Sequence, residues 1–182
     1  MGLLESPLYD TARQMLFCLT PIFIFASRAI DGFLRRVRGR LAQAGILLAV
    51  VAPGLLGIYL LHPYEYIYYN ELVGGVSGAK GRFELDYWAT SYREAMDYLS
   101  SNAPHGASVA VPYSSETAAP YASNDLRLLS GSDPESTVGA DFILVPVRGV
   151  LAARLYPDAP SYFAVVRDGA ELAIVRDLRG TR

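Results

Sequence analysis

The chain has 182 residues, 52% of them hydrophobic and 19% charged, with a formal net charge of −2. That length holds one domain plus an additional segment, or two small units. A near-neutral balance with no basic stripe beyond one arginine cluster excludes nucleic acid as a partner.

Composition divides the chain. Leu, Ile, Ala, Val and Phe dominate residues 1–61, whereas most of the Asp, Glu and Ser lie beyond them, which separates a membrane part from a water-soluble part. Cys18 is the only cysteine, so an intrachain disulfide is impossible, and among apolar neighbours it reads as an inert small hydrophobe. The first residues, MGLLES, match an N-myristoylation pattern at Gly2 but carry no supporting context.

Met15–Ser27, MLFCLTPIFIFAS, is shorter than the roughly 20 residues that a spanning helix needs. Leu8 and Tyr9 can extend it outward, and Arg28 can snorkel at the inner interface; the expectation is a membrane helix bent at Pro21. A cleaved signal peptide fits poorly, because the arginines follow the apolar run. Residues 28–40 then set Arg28, Arg35, Arg36, Arg38 and Arg40 against a single acid, Asp31, and the positive-inside bias predicts a cytoplasmic loop.

Leu41–Leu61, LAQAGILLAVVAPGLLGIYLL, has no charge and would be about 30 Å long as a helix. Along it Gly45, Ala49, Pro53 and Gly57 recur every four residues, a stripe of small side chains on which another helix can pack closely. The partner is the first helix of the same hairpin or an external subunit. Two membrane helices joined by a cytoplasmic loop would place both termini, and everything after Leu61, on the extracytoplasmic side.

Residues 62–90, which include HPYEYIYYNELVGGVSGAKGRFELDYW, form a Tyr- and Gly-rich collar. Tyr59, Tyr64, Tyr66, Tyr68, Tyr69 and Trp88 have the amphipathic rings that settle at a membrane–water boundary. The alternative is the aromatic wall of a soluble core.

Residues 91–182 read as a small α/β domain. Ser91 and Glu94 form an S-x-x-E capping box ahead of a helix over Tyr92–Ser101, which Pro104 and Gly106 end. Strands are predicted at Ser108–Tyr113, at Leu126–Ser130, and at Ala140–Val147, whose unbroken apolar run suits a strand covered on both faces. Val150–Tyr156 predicts one or two helical turns. Asp168-Gly169 between two β-rich runs is the strongest hairpin signal in the chain.

For chemistry, Glu65, Glu71, Glu84 and Asp86 with Lys80 and Arg82 could face a lipid-phosphate headgroup, although charges beside a membrane are more often solvated or structural. Gly74, Gly75, Gly78 and Gly81 lack the setting of a P-loop or dinucleotide fingerprint. His62 and His105 have no ligand-spaced partner, and Ser114 and Ser115 have no evident triad partner. No cofactor, metal or catalytic residue is assigned.

Two blocks, SPLYDTARQMLF and LHPYEYIYYNELVGGVSGAKGRFELDYWATSYREAMDYL, resemble the C-terminal part of bacterial GT-C glycosyltransferases of the dolichyl-phosphate-mannose protein mannosyltransferase type. The resemblance runs from about Ser6 to Leu99 and, more loosely, through the tail. It implies kinship with many-helix enzymes that take a sugar from a polyprenyl-phosphate donor on the extracytoplasmic face. In that family the catalytic acid sits on the first extracytoplasmic loop, near the start of a much longer chain, and no position here matches it.

The expectation is therefore a membrane α-helical hairpin followed by a small α/β extracytoplasmic domain. It would act as a non-catalytic accessory subunit of a larger complex in the bacterial inner membrane, photosynthetic or respiratory. Its partners would be other membrane subunits, the bilayer and a polyprenyl-phosphate lipid. Two alternatives remain: the C-terminal piece of a split polyprenyl-phosphate-sugar-dependent glycosyltransferase, and a lipid- or glycan-binding module without partners.

Overall fold

The computed structural model describes residues 13–130, 137–148 and 154–180. Two compact units meet in the chain between Ala52 and Pro53.

In the first unit a 3-10 turn, Arg13–Cys18, leads into helix α1, Leu19–Leu34. Pro21 occupies the first turn of α1, where its missing N–H has no intrahelical partner to lose. The backbone changes from 3-10 to α geometry just ahead of it. The expected extension through Leu8 and Tyr9 lies outside the described residues.

At its other end α1 runs on through Arg28 and Asp31, which corrects the loop predicted at 28–40: the connection to the next helix is only Arg35–Gly39. The physical reason lies in the last turn. Arg35 pairs with Asp31 four residues back at 2.9 Å, and the Gln43 amide donates to the carbonyls of Leu34 (3.0 Å) and Val37 (3.2 Å). Gly39, at φ +101°, makes the turn that few other residues make without strain.

Helix α2 spans Arg40–Leu61 and carries Pro53 in its interior. Leu16–Leu34 and Arg40–Leu61 are each long and apolar enough to cross a membrane. Leu61 is the only described residue of these helices that is buried.

The second unit holds the last turns of α2, the collar and the α/β domain. After a short helix α3, Gly75–Ala79, comes helix α4, Tyr92–Asn102, close to the predicted position. The strands are β1 (Ser108–Val111), β2 (Arg127–Ser130), β3 (Phe142–Pro146), β4 (Ser161–Arg167) and β5 (Ala170–Asp177). A short helix α5, Ser115–Ala118, lies on the crossover from β1 to β2.

The sheet has the order β2-β1-β3-β5-β4, with β1 parallel to both β2 and β3, and β5 antiparallel to both β3 and β4. Asp168 and Gly169 are the two-residue loop between β4 and β5, both at positive φ (48° and 73°), as the residue pair predicts. β3 lies in the middle of the sheet and is buried at every position, in accord with its unbroken apolar sequence.

One face of the sheet, with Val109, Phe142, Leu144, Leu172 and Val175, packs on Tyr92, Met96 and Leu99 of α4. The other face, through Ala110, Ile143 and Val145, meets Ala140, Ala159 and Leu178 in a smaller cluster. Most of the helical segment predicted at Val150–Tyr156 lies outside the described residues.

Candidate functional site

The collar is built into the core of the α/β domain. Tyr64, Ile67, Val76, Ala79, Leu85 and Ala89 share one cluster with α4 and the sheet. This corrects the expectation for Tyr64, whose ring is only 2% exposed and so cannot rest in headgroups. Its hydroxyl donates to Glu94 Oε2 at 3.0 Å, Arg167 Nη2 approaches the same oxygen at 2.6 Å, and the guanidinium lies 4.6 Å from the Tyr64 ring centre. Collar, helix and hairpin meet in that triplet. Burial first, and then the hydrogen bond to Glu94, push the Tyr64 phenol well above its ordinary range.

The other members of the aromatic set differ. Tyr59 is 79% exposed on α2, and Trp88 is 58% exposed with an edge-to-face contact to Tyr87. The half-buried Tyr68 lies against Gly57, where any Cβ would run into its ring. Tyr69 stacks on Phe83 with centroids 5.5 Å apart and donates to the Glu84 carbonyl at 2.9 Å. Tyr66 keeps an exposed edge but donates its hydroxyl to Asp86.

The small-residue stripe of α2 therefore serves more than one purpose. Gly57 receives Tyr68 and Pro53 lines a cleft, whereas nothing lies within 4 Å of where a Cβ on Gly45 would stand. Ala49 is exposed.

Of the four collar carboxylates, Asp86 is buried. It accepts from Thr90 N (2.9 Å), Ser91 N (3.2 Å), the Ser91 hydroxyl and the Tyr66 hydroxyl. This corrects the capping box: Ser91 precedes α4 but makes no side-chain cap, and Glu94 is held by Tyr64 and Arg167. Asp86 takes the Ser91 amide, the donor that Glu94 would have satisfied in the box.

Glu84 pairs with Arg148 at 3.2 Å, Glu65 with His62, and Glu71 stands on the rim of a cleft. Hydrogen bonds from its own backbone amide and then from His62 hold the exposed Glu65 carboxyl below its ordinary range.

Two clefts border the collar. One, of about 300 Å³, has an apolar wall from Leu56, Gly57 and Leu60 of α2 and two carboxylates, Glu71 and Asp168, on its rim. The other, of about 200 Å³, includes Lys80, Arg82, Phe83, Glu84 and Val147. Asp168 Oδ2 accepts from Ser77 N at 3.2 Å, which ties α3 to the β4–β5 turn. Lys80 lies 3.6 Å from Glu171 of β5.

Sequence reasoning missed Arg148. It follows β3, stacks on Tyr87 at 4.1 Å from the ring centre, pairs with Glu84 and donates to the Tyr113 hydroxyl just beyond β1. The chain leaves β1 for β2 on one side and returns to β3 on the other, so the carboxyl ends of β1 and β3 flank the point where open α/β sheets commonly receive ligands. Here the chain's own Arg148, Glu84, Tyr87 and Tyr113 interlock there. A lone arginine after an apolar run was the only signal in the sequence.

Among the described residues no group of three or more His, Cys, Asp or Glu side chains is placed to hold a metal ion. Comparison with protein-family models, with curated proteins and with solved structures gives no match for this chain.

Proposed function

We propose that the chain is a non-catalytic membrane-anchored subunit whose two apolar helices lie in a bilayer and whose collar and α/β domain form a rigid extracytoplasmic platform for a larger membrane assembly. One observation carries this reading: the collar's Tyr64, Glu84 and Asp86, which a catalytic reading would recruit, each hold the collar to the rest of the domain. Tyr64 bonds Glu94, Asp86 bonds the start of α4, and Glu84 bonds Arg148. A buried or paired carboxylate with its lone pairs already occupied is a joint and a poor general base.

Exposed apolar side chains along both helices support the membrane placement: Phe17, Phe23, Phe25, Leu48 and Leu55 are all more than half exposed among the described residues. The arginines at 35–40 favour a cytoplasmic connection and hence a domain on the opposite face. The resemblance to GT-C glycosyltransferases supports descent from such an enzyme's C-terminal region. A bacterial inner membrane is the location that descent suggests, with a photosynthetic or respiratory complex as the proposed host.

The test is gentle detergent extraction followed by native mass measurement and identification of co-purifying chains. A defined assembly with other membrane subunits is the expected result, and a free monomer would overturn the reading. A single partner that supplies further helices and an acidic extracytoplasmic loop would favour the split-glycosyltransferase alternative.

A further inference from the structure

We propose that Arg82 and Lys80, at the mouth of the 200 Å³ cleft, form a binding site for the phosphate of an anionic phospholipid in the surrounding bilayer. The inference rests on the membrane anchoring proposed above and adds a ligand to it.

An aromatic path leads toward Arg82. Gly57 on α2 is covered by Tyr68; the next residue, Tyr69, stacks on Phe83; and the Arg82 guanidinium lies 5.6 Å from the Phe83 ring centre. Leu60 and Tyr69 line one cleft, and Arg82 and Phe83 the other, so the surface passes from an apolar helix through stacked rings to a cation. Apolar body, aromatic belt and cation in that order match the profile of a lipid from acyl chain to headgroup.

The local charge balance favours an anion. Lys80 and Arg82 are the only lysine or arginine residues in the collar. Among the described residues Arg82 has no carboxylate within ion-pair distance and is exposed. Glu84 lines the same cleft, but Arg148 holds its carboxylate at 3.2 Å, and Glu171 lies 3.6 Å from Lys80. Three cations (Lys80, Arg82, Arg148) therefore face two carboxylates (Glu84, Glu171), which leaves one positive charge, centred on Arg82.

The dimensions fit a headgroup and no more. The cleft volume is about 200 Å³, below the roughly 300–1,000 Å³ of sites that enclose a drug-sized molecule. It suits a headgroup phosphate whose chains stay in the bilayer. Arginine also offers the forked donors that phosphate oxygens accept.

The test uses the full chain in nanodiscs of phosphatidylcholine with a minority of phosphatidylglycerol, and native mass measurement counts the lipids retained on release. Carbonate-resistant pelleting reports separately whether the chain is integral. The expected result is selective retention of phosphatidylglycerol, reduced about fivefold in R82Q and further in K80Q/R82Q, in line with the contribution of each cation near an anionic surface. R82K should restore most of it.

Both side chains are solvent-facing, so the thermal midpoint should not move and a folding defect would be visible as such. An integral chain whose phosphatidylglycerol retention is unchanged in K80Q/R82Q overturns the lipid site and leaves anchoring intact. Preference for added polyprenyl monophosphate over phosphatidylglycerol overturns the assignment to bilayer phospholipid. A chain that carbonate extracts overturns the anchoring reading itself, and the lipid site with it.

Discussion

Asp86 shows how much a single buried carboxylate decides in this protein. Its oxygens satisfy the amides of Thr90 and Ser91 at the start of α4, where helix N–H groups have no intrahelical partner. Removing it should leave the buried Ser91 amide and hydroxyl unpaired, so D86A is expected to destabilise the folded domain by about 2–4 kcal/mol, whereas S91A should cost about 1 kcal/mol or less. Denaturant unfolding of the two variants checks this; equal losses would return the capping role to Ser91.

The same region also carries an alkaline signature. Tyr64, Tyr66 and Tyr92 each have a phenol raised above its ordinary value of 10.0, first by burial and then by nearby carboxylates: Glu94 for Tyr64, Asp86 for Tyr66, and Asp86 and Glu116 for Tyr92. A group whose folded value is raised stabilises the fold fully below the unfolded value and loses that contribution as pH rises toward the folded one. Stability should therefore hold up to about pH 10 and fall steeply above it. Phenolate absorbance in an alkaline titration should show three of the 13 tyrosines ionising only as the domain unfolds. Ionisation of all tyrosines in one step while far-UV dichroism stays native would contradict it.

Among the secondary-structure elements, the informative case is the seam between α2 and the collar. Small residues every four positions predicted a helix-packing stripe, and at Gly57 the occupant is a tyrosine ring. A methyl group there must displace Tyr68, so G57A should destabilise the domain by the roughly 1–3 kcal/mol typical of overpacking, seen as a lower thermal midpoint in detergent. Y68A in the G57A background should recover part of that loss, because the clash is removed; simple additivity of the two changes would refute the contact.

The β4–β5 hairpin is the opposite case. Asp168-Gly169 announced it in the sequence because only residues tolerant of positive φ close a two-residue turn whose twist matches the strands. What the local pattern does not reveal is that the Asp168 carboxylate also receives the Ser77 amide, a contact between residues 91 positions apart.

For the molecule as a whole, the arginine-rich connection and the apolar helices make an arrangement that labelling can check. In a C18S background, R36C should react only from the cytoplasmic side. N124C, at an exposed position of the α/β domain, should react with an impermeant maleimide from outside. Reaction of both from the same side would rule out a two-span topology.

Periodicity, charge bias and turn chemistry are local properties, so two apolar spans, the α4 helix, the buried β3 strand and the closing hairpin were legible before any fold was known. Partners across long separations were not. Glu94 looked like half of a capping box until Tyr64 and Arg167 were brought beside it from 30 residues upstream and 73 downstream. Glu84 stood among the candidates for a lipid headgroup and Arg148 carried no reading, because the two are 64 positions apart and meet only in the fold. Which tyrosines face outward and which are buried likewise emerged from the folded chain alone, because an aromatic cluster suits a headgroup layer and a protein core equally well until burial chooses between them. Tyr59 faces outward while Tyr64 is enclosed, and the difference lies in what each one packs against.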